Sequence, residues 1–109
     1  MKKDDLIYVQ HILDCIERIQ LYVSNMDQDA FSDNLIVQDA VVRQLEIIGE
    51  ATKRISKDFR QKYPDIPWID MAGMRDVLIH DYIEVDFDIV WLTVNEQIPV
   101  LKKQINSLL

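Results

Sequence analysis

Three side chains suited to proton transfer and phosphoryl chemistry stand in one short stretch, "MRDVLIHDY" at 74–82, as Arg75, His80 and Tyr82. Near neutral pH an imidazole can take a proton from a ribose 2′-hydroxyl or give one to a leaving oxygen, while a guanidinium stabilises charge on phosphoryl oxygens. The chemistry on offer is metal-free attack on an RNA phosphodiester. DNA lacks the attacking hydroxyl. On a continuous helix Arg75 and His80 would stand about 140° apart, and Arg75 and Tyr82 within about 20°. A helix ending near His80 could bring imidazole and guanidinium to one pocket, and a neighbouring subunit could complete it. The structural alternative is that His80 caps a helix, Arg75 pairs with Asp76, Asp81 or Glu84, and Tyr82 anchors the core. Spacing alone favours that alternative.

Few other residues compete for a chemical role. The chain has no glycine-rich phosphate loop, G-x-S-x-G elbow, H-E-x-x-H or zinc-spaced Cys/His set, so neither metal nor cofactor is expected. His11, within a helical pattern, and Cys15, the single cysteine and without an activating partner, read as structural. One cysteine cannot form an internal disulfide, which fits a reducing cytoplasm. The N-terminal stretch lacks a secretory h-region, and no apolar run approaches the ~20 residues of a membrane span. A cytoplasmic location is expected.

The elements that would position these residues are helical. The 109 residues suit a single domain, 1–109; 49% are hydrophobic and only two are glycine and three proline, which points to an all-α fold. Leu6, Val9, Ile12, Leu13, Ile16, Ile19, Leu21 and Val23 recur at helical spacing and predict a first helix from Asp4 or Asp5 to about Asn25. The polar connector 25–34 has room for one short turn. A second long helix, residues 35–56, should bury a stripe running from Ile36, Val37 and Ala40 through Leu45 and Ile48 to Ile55. "KYPDIPW" (62–68) breaks the pattern, and Pro67 suits the first turn of a short third helix ending near Leu78 or Ile79. The last helix starts between Val85 and Asp88, and Pro99 should kink it. The sum is an antiparallel bundle of four main helices plus a possible short one.

Charge is the opposing consideration. The net charge is −7, which disfavours nucleic acid globally, yet residues 43–63 hold six cations against three carboxylates. From charge alone a solvated helix face explains that segment better than a binding stripe does.

Several stretches taken in order resemble the HepT-like branch of HEPN proteins. "RDVLIHDY" matches the signature R-x-x-x-x-H-x-Y with Arg75, His80 and Tyr82, and Asp76 follows the arginine. "QLEIIGEATKRIS" (44–56) is similar to the family's I-G-E-A helix, "IPWIDMAGMRD" to its tryptophan-containing approach, and "DYIEVDFDIVWLTVNEQIPVLKKQI" to its downstream helix with an internal proline. The resemblance spans nearly the whole chain. It implies an HEPN fold that forms a homodimer or larger assembly, with the motifs of two subunits facing a shared cleft. It further implies a metal-independent endoribonuclease acting as the toxin of a toxin–antitoxin pair, with Arg75 and His80 catalytic. Tyr82 would be the residue to which an MntA-type nucleotidyltransferase antitoxin attaches AMP, silencing the toxin. Glu50 and Asp76 are possible supporting carboxylates, and Glu50 could equally be a helix glutamate paired with Lys53 or Arg54. The competing expectations are an HEPN module that binds nucleotide or partner without cleaving, and a purely structural dimerisation domain.

Overall fold

The first helix, α1 (Lys3–Tyr22), and the third, α3 (Leu35–Arg54), form the centre of the fold in a computed structural model that describes residues 3–73 and 85–109. They run antiparallel, since Asp5 near the start of α1 bonds Ser56 just beyond the end of α3. Between and after them lie two short helices, α2 (Gln28–Asp33) and α4 (Lys57–Lys62). Residues 68–73 are helical and are called α5. The last rod is α6 (Phe87–Leu92), a π-helical turn (Thr93–Gln97) and α7 (Ile98–Asn106) without a break. The fold is all-α, and no strand occurs among the described residues.

The core follows the apolar spacing. Val9, Ile12, Ile16 and Ile19 of α1, Val41, Leu45 and Ile48 of α3, and Ile98 and Ile105 of α7 are buried in one cluster. Each such side chain contributes about 1.5–3 kcal/mol through removal from water. Two expectations for buried positions fail at the ends of the stripes. Ile36 is 82% exposed and Leu21 72% exposed. At the start of α3 the inward position belongs instead to Gln38, whose Nε2 donates to the carbonyls of Phe31 and Ser32, both at 2.8 Å. A polar residue turns inward there because its amide donates to carbonyls at the end of α2, that of Phe31 also accepting from the Asn34 amide.

Side-chain caps explain the breaks between helices. Asn25 adopts φ 64°, a left-handed conformation that asparagine tolerates, and ends the turn after α1. Asp27 caps α2 by accepting from the Ala30 amide, and Asn34 caps α3 by accepting from that of Val37. The second long helix ends two residues earlier than its sequence pattern suggested. Ser56 starts α4 instead, accepting from the Phe59 amide at 3.2 Å.

Pro99 acts through the π turn. Proline cannot donate to the carbonyl four residues back, and its ring crowds that carbonyl. One turn earlier the ladder widens, so that the Ile98 amide donates to Thr93 rather than to Val94. What stands in place of the expected kink is a local change of helical pitch, with proline in the first turn of α7.

Candidate active site

The signature residues Arg75, Asp76, His80 and Tyr82 lie outside the described residues, as does the predicted end of the third helix. What the structure gives is the frame on either side of them. On the entering side, Phe59, Tyr63 and Trp68 form an aromatic cluster, with ring centroids 5.0 Å apart for Phe59–Tyr63 and 6.2 Å for Phe59–Trp68. Trp68 is buried, and its indole N–H donates to the Tyr63 carbonyl at 2.9 Å. Because a buried indole N–H needs a partner, this bond fixes the ring and so the start of α5. The Met71 amide closes the first turn on the Pro67 carbonyl at 3.0 Å.

On the leaving side, Asp86 caps α6 by accepting from the Asp88 and Ile89 amides at 2.9 and 3.4 Å. Trp91 packs on Phe31 with centroids 5.3 Å apart, and the Gln28 side chain donates to Asp88 at 3.2 Å. These contacts tie α6 to α2. The motif stretch is therefore entered from a buried tryptophan anchor and left through a capped helix start.

Glu50, the described member of the candidate set, is half-buried on α3. Its Oε1 stands 3.5 Å from Nη2 of Arg54, one helical turn on. The Tyr8 hydroxyl of α1, and after it the Glu50 carboxylate, act on the Arg54 guanidinium and push its pKa further above the usual arginine range. Tyr8, Arg54 and Glu50 thus link α1 to α3. The Glu50–Arg54 pair is open to solvent, where ion pairs contribute little stability.

The local excess of cations is mostly committed to structure. Arg43 pairs with Glu46 at 3.3 Å, and Arg60 donates through Nη2 to the Thr52 carbonyl at 2.8 Å, closing the end of α3. Lys62 lies 6.0 Å from the Tyr63 ring centre. Lys57 and Lys62 are exposed on α4.

The pattern of residue types did not reveal Asp5. This carboxylate is 3% exposed and accepts from both the amide and the hydroxyl of Ser56, at 2.8 and 2.7 Å. In sequence it is an acid in the first turn of a helix, an ordinary complement to the helix dipole. Its partner lies 51 residues away, and no local signal joins them. His11 is exposed and meets Tyr8 edge-on, while burial pushes the Cys15 thiol up, with Arg18 opposing and Asp14 adding to the shift. A buried, protonated thiol is a poor nucleophile.

Helical packing and the two anchored arms define a small all-α fold. The family model described as Ribonuclease HepT-like matches residues 12–108. The chain belongs to the HepT-like ribonuclease family. It is 44% identical over 108 residues to "Probable ribonuclease HepT" of Thermococcus cleftensis, covering 99% of this chain and 98% of that one. It is likewise 44% identical over 108 residues to "Putative RNase MJ1216" of Methanocaldococcus jannaschii, covering 99% and 89%. A further relative from that organism, "Gamma-glutamylcyclotransferase and putative RNase MJ0434", is 47% identical over 105 residues. That match takes in 96% of this chain and 47% of the relative, so the chain spans about half of that longer protein. No solved structure matches the chain.

Proposed function

We propose that the protein is a metal-independent endoribonuclease, the toxin of a toxin–antitoxin pair, acting in the cytoplasm as a homodimer. His80 transfers the proton and Arg75 stabilises phosphoryl charge as the ribose 2′-oxygen forms a bond to phosphorus and the bond to the 5′-oxygen breaks. Asp76 and Glu50 support these groups. Tyr82 is the switch, to which an MntA-type nucleotidyltransferase transfers AMP from ATP with release of pyrophosphate. The added phosphate and adenosine neutralise the arginine's role and block entry of RNA. The observation that carries the reading is the complete signature Arg75, His80 and Tyr82 within a chain whose family match runs from residue 12 to 108. The frame supports it, because the motif lies between a buried tryptophan anchor and a capped helix start.

The test pairs two readouts. Unmodified protein should cleave RNA in the presence of chelator, and His80→Ala should not, with circular dichroism unchanged. Co-expression with the nucleotidyltransferase should add AMP, mapped by mass spectrometry to Tyr82. Cleavage by His80→Ala at the wild-type rate, or labelling undiminished in Tyr82→Phe, removes that residue from its role.

A further inference from the structure

A cleft of about 440 Å³ lies between the arm that enters the motif and the rod that leaves it. One wall is Asp65, Pro67, Asp70 and Met71; the other is the π turn and α7. Gln97 of the π turn and Val100 and Gln104 of α7 line it beside the core residues Ile98 and Leu101, and the Gln104 side chain donates to the Asp65 carbonyl at 3.2 Å, joining the two walls. Val100 is 58% exposed. Three carboxylates, Asp65, Asp70 and Glu96, rim the cleft, and among the described residues no cation lines it. Among the described residues, no cation pairs with any of the three.

We propose that this cleft docks a short cationic segment of a partner protein, one whose apolar side chains meet the exposed Pro67 and Val100 while its lysines or arginines meet Asp70, Glu96 and Asp65. The charge pattern selects the occupant. A rim of carboxylates repels nucleic acid, so RNA is excluded from this face by the same field that would draw in a basic peptide. The volume falls within the 300–1,000 Å³ range of ordinary ligand clefts and admits a few side chains. Gln97 offers an amide donor and acceptor on one side of Val100, and Gln104, whose Nε2 already donates to the Asp65 carbonyl, offers its amide oxygen on the other, suited to the polar rim of such a contact. Both walls belong to segments that bracket residues 74–84, so an occupant would grip the two arms at once. Docking is independent of whether the chain cuts RNA.

The experiment is fluorescence anisotropy with a labelled, helix-forming Lys/Leu peptide, and a matched Glu/Leu peptide as control, on the full-length protein. The Lys/Leu peptide should bind and the Glu/Leu peptide should not. Asp70→Lys with Glu96→Lys should weaken binding by about tenfold or more. Glu17→Lys with Asp33→Lys, an equal change of net charge on α1 and α2, should leave it within about twofold. Val100→Glu should weaken it as well, which a purely electrostatic attraction would not show. Circular dichroism of each variant establishes that it folds. Equal weakening by both charge-reversal pairs, or none by either, overturns the proposal, since the peptide would then follow net charge or sit elsewhere. A change of sedimentation behaviour in the cleft pair with peptide binding intact also overturns it, assigning the cleft to a second copy of the chain. Tighter RNA binding by the cleft pair alone supports the repulsive role given to the rim.

Discussion

Asp5 holds the junction of three helices with two hydrogen bonds to one serine. Because it is buried and charged-group bonds are the stronger kind, Asp5→Ala should lower unfolding free energy by about 1–3 kcal/mol. Ser56→Ala loses the α4 cap as well and should cost a similar amount, while the double variant should cost less than the sum. Urea denaturation of the four proteins measures the coupling, and strict additivity would mean that the bonds contribute nothing together. At the same scale, Tyr82→Phe should abolish AMP attachment with little change in midpoint, read by intact mass alongside the denaturation curve. Cys15 should resist alkylation until the protein unfolds, since the thiol is buried and protonated. Rapid labelling of folded protein by iodoacetamide would contradict that burial.

At the scale of elements, the aromatic anchor before the motif is the contact most directly placed to affect chemistry at a distance. Trp68→Phe keeps much of the ring packing and removes the bond to Tyr63, so it should cost about 1 kcal/mol or somewhat more. It should also lower RNA cleavage through kcat more than KM if α5 positions the motif. Unchanged cleavage would confine Trp68 to stability. The long helices and most of the core were legible from apolar spacing, as Val9 to Ile19 and Val41 to Ile48 illustrate. The ends of the stripes were not, because Gln38 displaces Ile36 to satisfy carbonyls of a different helix, a demand invisible in one helix's pattern. The break at Ser56 was hidden for the same reason. Pro99 announced a disturbance of the helix but not its form, since a π turn and a simple kink both accommodate a missing amide. Of the candidate site, the sequence supplied the signature and Glu50, whereas the link from Glu50 through Arg54 to Tyr8 required the packing of α1 on α3.

For the whole molecule, the question is how an acidic chain engages a polyanion. The cations of residues 43–63 are in large part committed to Glu46, Glu50 and the end of α3, leaving Lys57 and Lys62 exposed on α4. Lys57→Glu with Lys62→Glu should therefore raise KM for RNA several-fold with kcat little changed, and should flatten the salt dependence of binding. Equal kinetics in the variant would place the RNA path elsewhere. The family match, residues 12–108, takes in the whole run of stretches from 44–56 to the proline-containing rod. The proposed docking of protein at the acidic cleft between the two arms would keep that contact apart from the exposed lysines of α4.

The central claim is that His80 performs metal-independent RNA cleavage, and the most direct measurement is cleavage of a defined RNA in chelator by unmodified protein and by folded His80→Ala. The account predicts a cut with a 2′,3′-cyclic phosphate end from the first and none from the second. Equal cleavage by both proteins, or none by either under conditions where each is folded and free of AMP, would contradict it.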